Sequence, residues 1–452
     1  MATIKPPSFG KAVRSMQQYF EKNVMARAPG WLIFLTLSAV LGFAWYVLLY
    51  SRYPLYVTHV NWIYNAGGDA LQHQLGWEWF RDAQWRFPLG NIQTLGYPLG
   101  TSVTYMDSIP LFAIPFKLLS PWLEQPFQYF GLWELMSVIL QMLAGMLIVS
   151  QFTRSYALST LAACMLVLSP AMMFRAFYHS SLSAHWIILA AIWFAILAYR
   201  GRLWRPAWLI LFGLAMLIHL YYIPMLLPLW GIGQWFHYRK QPRRWMLAVD
   251  LLTVAAVVLG VGYSTGVFGL SFGDLSISGY GTYSWNLNGF FNPLEISSAF
   301  LKGMVITGGQ YEGFSYLGLG NLLLIPVAVY LFPQKEQPRR RARFVLPFLA
   351  AAVVYTLFAI SNRAFVGLNP VWDWPLPDAL YQLFTLFRSS GRFIWPVYYF
   401  IVLFGLVTIL RNARFPAVVI AFALLLQFLD LQPLYRSKQM DDFAVYTSSL
   451  QS

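Results

Sequence analysis

The sequence predicts an all-α, polytopic membrane protein of about eleven transmembrane helices. Three observations carry this prediction. Of the 452 residues, 58% are hydrophobic and only 11% are charged, whereas a soluble globular chain carries about a quarter of its residues charged. Apolar runs near the length of a bilayer span, roughly 17–25 residues, recur along the chain. The basic residues gather in the short segments on one side of those runs. The alternating ten-residue pattern of an outer-membrane barrel does not occur.

The first run, Trp31–Tyr50, follows a basic and partly polar segment, and no small-residue cleavage site comes after it. It is expected as an uncleaved span, not a signal peptide. Ten more spans are expected at Phe127–Ser150, Tyr156–Met173, Leu182–Tyr199, Pro206–Leu220, Tyr222–His237, Trp245–Tyr263, Tyr316–Pro333, Phe344–Ile360, Phe393–Leu410 and Phe415–Leu429. The fifth and sixth spans are short and share the turn "LYYIPML", which suits a hairpin of half-depth helices.

With the N-terminus cytoplasmic, residues 1–30 and the segments "QFTRS", "RGRLWR", "YRKQPRR", "QKEQPRRRAR" and "RNAR" share one side. Together they hold 20 of the 31 Lys and Arg but only Glu21 and Glu336 among the 17 acids. Asp250 lies within a span, and the remaining fourteen acids fall on the opposite side. This bias sets the orientation. It also assigns the net charge of +14 to cytoplasmic loops and not to nucleic-acid binding. The single cysteine, Cys164, lies in an apolar run and excludes both a disulfide framework and a thiolate metal site.

Ser108–Trp122, "SIPLFAIPFKLLSPW", is apolar but short, and contains Pro110, Pro115 and Lys117. Counting it as a span would invert every later loop, so it is expected to lie along the outer surface. The domain plan is a cytoplasmic segment 1–30, a transmembrane domain 31–430 and a periplasmic tail 431–452. Within the domain, residues 51–126 form a first periplasmic loop with juxtamembrane helices, and 264–315 and 361–392 form further periplasmic loops.

A first span, a long external loop with an early acid, a surface helix opened by "PL" and closed by "KLL", and many later spans make a distinctive order. It resembles the GT-C superfamily of integral-membrane glycosyltransferases, which take sugars from polyprenyl-phosphate carriers. The stretches "GGDALQHQLGWEWFR", "HSSLSAHW", "GQYEGFSYLGLG" and "FRSSGRF" look more narrowly like signatures of a bacterial family of GT-C-like membrane proteins. The resemblance implies a bacterial inner-membrane transferase with a periplasmic site, a polyprenyl-phosphate-linked donor and a glycan, lipid or protein acceptor.

In that superfamily the first external loop carries a catalytic Asp or Glu. The resemblance places it at Asp69, the first acid outside the first span; Asp69 with Gln72 also fits a helix cap. His73 lies one turn later on the same face, where it would tune Asp69, bind acceptor, or serve as a structural surface histidine. Asp107, directly before "SIPL", is either a second site acid or the cap of the surface helix. Lys117 either reaches a lipid phosphate or snorkels toward headgroups. Arg388 and Arg392 in "FRSSGRF" suit a phosphate clamp, because guanidinium presents fixed donors to phosphate oxygens; the competing role is interfacial anchoring.

His179 and His185, with Arg175 one turn earlier, are expected to bind substrate, since polar groups at this depth tend to face a cavity; Glu312, with Gln310 and Tyr311, is expected to read sugar hydroxyls. Trp77, Trp79, Trp85, Tyr97 and Tyr105 are expected mainly to anchor the surface helices. No cofactor is expected; the His, Glu and Asp content suits a divalent metal, but no ligand spacing specifies one. Two other functions compete. An O-antigen-type polymerase or ligase would use a diphosphate-linked donor, and a lipid-linked sugar flippase would need charges near the bilayer midplane, where Asp250 and His219 are the candidates.

Overall fold

A computed structural model describes residues 30–239, 245–268, 279–332 and 338–439. The segment assigned to 1–30 therefore falls outside the described residues apart from Gly30, as do residues 269–278 of the second external loop and 440–452 of the tail.

Each expected span contains a helix: α1 (Gly30–Tyr50), and, beyond the first external loop, α5 (Phe130–Val149), α6 (Tyr156–Val167), α8 (Trp186–Tyr199), α9 (Arg205–Ile218), α10 (Tyr222–Tyr238), α11 (Met246–Thr265), α12 (Leu319–Leu331), α13 (Pro338–Ile360), α15 (Trp395–Asn412) and α16 (Pro416–Asp430). Among the described residues six helical stretches are long and apolar enough to cross a membrane: Gly30–Tyr50, Phe130–Val149, Ser180–Tyr199, Met246–Thr265, Ala342–Ile360 and Ser390–Asn412. Tyr156–Val167, Arg205–Ile218, Leu319–Leu331 and Pro416–Asp430 are apolar but shorter. Their surfaces turn large apolar side chains outward, among them Val40, Leu252, Leu357 and Phe422. Water would penalise such faces and hydrocarbon accepts them. The chain is a helical membrane protein.

In the bundle α5 packs against α1, α6 and α8, while α15 packs against α12, α13 and α16. The expected third span is not continuous. α6 stops at Val167, and a short helix α7 (Pro170–Arg175) restarts with Pro170 at its first position. Proline lacks the N–H that would continue α6 and holds Ser169 extended, at φ −76° and ψ 113°. The break carries Arg175 and His179 to one end of the bundle.

Residues 51–126, expected as the first external loop, hold two helices, α2 (Asn61–Ala66) and α3 (Gly68–Asp82), a small hairpin of β1 (Asn91–Ile92) with β2 (Thr101–Ser102), and α4 (Pro110–Leu118). α4 has 9 residues, about 14 Å at the α-helical rise, under half the hydrocarbon thickness. It lies against α3 and α9. Polar contacts fasten α3 to the bundle. Trp77 Nε1 and Gln74 Nε2 both donate to the Phe127 carbonyl at 3.0 and 3.1 Å. Arg81 donates to the carbonyls of Ser120, Leu123 and Glu124 at 2.9–3.2 Å. Trp77, expected as an anchor, is fully buried.

The third loop contains an antiparallel hairpin, β3 (Arg363–Val366) with β4 (Asn369–Asp373), and the helix α14 (Asp378–Thr385). After α16 the chain turns back as α17 (Gln432–Arg436), which lies against α1 and α7.

Candidate functional site

The loops at one end of the bundle bring together ionisable side chains from six separate segments. Asp69 enters from α3. Gly67 and Gly68 precede it with φ of +61° and +51°, a left-handed pair that breaks α2 from α3 and that side-chain-bearing residues resist. Gly67 is the cap residue of α3, Asp69 lies inside the first turn, and no side-chain cap bond forms. The carboxylate of Asp69 is instead hydrogen-bonded by Nε2 of His179, and half of its side-chain surface is open. That bond holds the Asp69 carboxyl below its ordinary range despite partial burial, while burial pulls the His179 imidazole down from its usual value.

His73 is buried one turn behind Asp69, and its Nδ1 has no hydrogen-bond partner among the described residues. Burial lowers its pKa to about 3, so it is a neutral ring at physiological pH. Its backbone carbonyl accepts the Ser108 hydroxyl at 2.6 Å, which ties α3 to the residue after Asp107.

Asp107 has left-handed backbone, φ +53°, and so does Ile109. For residues other than glycine this conformation is strained, and such strain gathers at functional sites. Asp107 does not cap α4; the cap residue is Ile109, without a side-chain bond. Its carboxylate lies 3.5 Å from Nε2 of His219, the residue that ends α9. Burial pushes the Asp107 carboxyl up to about 7, Arg392 opposes the rise, and Asp69 and Glu312 add to it.

Glu312 completes the centre. It pairs with Arg175 at 2.8 Å and takes a bidentate contact from Arg392 at 2.9 and 3.0 Å. Arg175 also donates to the Glu312 carbonyl at 2.7 Å. Although burial alone would raise the carboxyl, the two guanidiniums hold Glu312 far below the carboxylate range. Two glycines make this approach possible. A Cβ on Gly391 would meet the Gly313 Cα at 2.8 Å, so the turns bearing Glu312 and Arg392 close only because both neighbours lack side chains. The Arg392 guanidinium lies 4.6 Å from the centre of the Tyr221 ring.

The structure thus brings Asp69, His73, Asp107, His179, Glu312 and Arg392 to one place and leaves the other expected residues around it. Arg388 is exposed, its guanidinium 5.6 Å from the Tyr283 ring, and it takes no part in the ion pairs of the cluster. Lys117 points its amine between Phe80 and Trp85, 4.1 and 4.6 Å from the ring centres, and burial lowers it to about 8. His185 is fully buried deeper in the bundle, bonded through Nδ1 to the Tyr399 hydroxyl at 2.8 Å with its ring against Trp395. Gln310 joins Asn286 and Ser284 within the second external loop, at 2.7 and 3.3 Å.

One member of the cluster, His219, was absent from the expected site residues, while Arg175 was expected there only as the neighbour of His179. Arg175 sits at the end of α7, two residues past the expected end of the third span. His219 was read as a midplane charge; its place at the joint of two short helices was the available signal. Among the described residues no group of three or more His, Cys, Asp or Glu is arranged to hold a metal ion.

No curated protein and no solved structure matches the chain. A family profile matches residues 39–432, from the middle of α1 to the start of α17 and so across every residue of the cluster. The chain belongs to the family described as Domain of unknown function (DUF6311).

Proposed function

We propose that the chain is a membrane glycosyltransferase, moving a sugar from a polyprenyl-phosphate-linked donor to a hydroxyl of a glycan, lipid or protein acceptor. The proposed site lies on the periplasmic face of a bacterial inner membrane, in a bundle of about eleven spans. The observation that supports this reading is an acid–histidine pair, Asp69 with His179, set beside two guanidiniums that share one carboxylate.

The parts suit displacement at an anomeric carbon. Asp69 takes the proton of the acceptor hydroxyl, and the His179 bond fixes the carboxylate's direction. The acceptor oxygen then bonds to the anomeric carbon. The bond from that carbon to the phosphate oxygen breaks, and its electron pair leaves with the phosphate. Arg175 and Arg392 oppose Glu312 with one unit of charge to spare, which favours an anion at this spot. Asp107, with its proton affinity near neutrality and His219 beside it, is a second proton-handling pair within electrostatic reach of Asp69.

The donor side is testable without knowing the sugar. Native mass spectrometry in nanodiscs compares binding of a polyprenyl monophosphate with that of the polyprenyl alcohol. The phosphate should bind more tightly. Arg392→Lys should weaken that preference about tenfold, as loss of one charge-assisted hydrogen bond implies, and Arg388→Ala should weaken it less. Equal binding of alcohol and phosphate by the wild type would remove the reading.

A further inference from the structure

The segment Phe174–His179 delivers both Arg175 and His179 to the cluster, yet its backbone leaves the helix after Arg175 and is irregular from Ala176 on. Phe177 within it has φ +67°, which a side-chain-bearing residue holds only under constraint. The constraint comes from two buried charges that the catalytic reading does not use. From α5, Glu134 accepts the Phe177 N–H at 3.1 Å. From beyond α17, the Lys438 amine donates to the carbonyls of Phe174 and Ala176, both at 3.0 Å. It also stands 4.0 Å from the centre of the Tyr178 ring.

Lys438 is 3% exposed and Glu134 is fully buried. A buried ammonium is costly unless its surroundings repay it. Burial pulls the Lys438 amine down to about 7, and two carbonyls left without partners where α7 ends, one aromatic face and the nearby Glu134 carboxyl offset part of that cost. The approach of Lys438 is itself fixed, since α17 packs against α1 and α7 and Gln439 donates to the Leu48 carbonyl at 3.1 Å.

We infer that Lys438 is a positioning residue: with Glu134 it clamps Phe174–His179 in the one shape that points His179 at Asp69 and Arg175 at Glu312. The last turns of the chain thereby hold the site together from behind, without touching anything bound in it. The inference concerns the shape of the cluster, so its test does not depend on sugar transfer.

Diethylpyrocarbonate modification of purified protein in nanodiscs, read residue by residue by mass spectrometry, measures how tightly His179 is held. In the wild type the bond to Asp69 protects Nε2. Lys438→Met removes every donor while keeping the apolar stem, and should raise His179 reactivity at least about tenfold, the change in open population expected from losing one charge-assisted hydrogen bond. Lys438→Arg, which retains donors and charge, should restore protection. His59 and His237, on other segments, serve as internal controls and should stay at their wild-type rates; a parallel rise in them would mean general loosening and would overturn the assignment. If Lys438→Met does not accumulate, Lys438→Gln takes its place, because its shorter uncharged amide reaches at most one carbonyl. An intermediate rise at His179 then supports the clamp. Wild-type reactivity of His179 in the Met or Gln variant overturns it.

Discussion

At the start of α9, Arg205 grips Asp250 with contacts of 2.8 and 3.1 Å, and Tyr238 joins both, accepting from Arg205 at 2.6 Å and donating to Asp250 at 2.7 Å. At the other end of the same helix His219 stands 3.5 Å from Asp107, next to a cluster of two further acids, two further histidines and two arginines. The first network is one acid, one base and one hydroxyl, each satisfied by the others, joining three consecutive helices. The second draws on six distant segments and leaves work undone. His73 Nδ1 and Arg175 Nε and Nη1 are buried without hydrogen-bond partners among the described residues, the Asp69 carboxylate is half open, and Asp107 is strained. A network that only holds a fold together has no reason to carry such costs. The contrast separates a staple from a site in a chain where both are built from the same residue types. It also changes the meaning of Asp250: a charge that the sequence offers as a midplane candidate is a paired group at a helix end.

The largest effect that sharpens this contrast is expected at Glu312. Glu312→Gln leaves two buried guanidiniums facing each other, and removing one partner of a buried pair costs about 3–5 kcal/mol. Thermal unfolding in detergent should show it as the most destabilised single variant of the cluster. Asp250→Asn should cost less, about 1 kcal/mol, because the Arg205 side chain is more than a third exposed and can turn to water. Equal losses at the two positions would mean that the networks do not differ in kind.

A smaller, pH-dependent effect is expected at Asp107. Its carboxyl is raised to about 7 in the fold, against about 3.9 in an unfolded chain. The folded state therefore holds the proton more strongly. Its contribution is fully present below about pH 4 and is lost as the pH climbs through 7. Asp107→Asn keeps an uncharged group there at every pH. The melting temperature of the variant relative to wild type should thus rise between pH 5 and pH 8. A difference that stays flat over that window would show that Asp107 is not held in a proton-retaining environment.

Much of this architecture is legible from the residues. Helices stand at all eleven expected segments because apolar runs bounded by basic loops are a strong signal, and Ser108–Trp122 was set apart from the spans by its shortness, by Pro110 and Pro115, and by the charges of the later loops. The break at Pro170 was legible in principle, but hydropathy averages over it. The site was legible one residue at a time and not as a set. Asp69 stood out through the resemblance, Arg392 through its motif with Arg388 and Glu312 through its polar neighbours, whereas the pairing of Glu312 with Arg392 depends on Gly313 and Gly391 touching, a contact between segments almost 80 positions apart. Arg388 shares a motif with Arg392 but not its direction, since a turn at Ser389–Gly391 separates them. Lys438, one basic residue near the end of the chain, carries no local pattern that marks it as buried.

The central claim is that Asp69 does chemistry and Asp250 does not. Asp69→Asn preserves size, and because Asp69 caps no helix, stability should stay near wild type. The measurement is transfer from a polyprenyl-phosphate-linked sugar to acceptor in proteoliposomes, with Asp69→Asn and Asp250→Asn side by side. General-base catalysis contributes about 10²–10⁴-fold. The account predicts that Asp69→Asn loses at least about a hundredfold in rate at an unchanged melting temperature, while Asp250→Asn melts earlier and, below its melting point, transfers at the wild-type rate. Near-normal transfer by folded Asp69→Asn would contradict it.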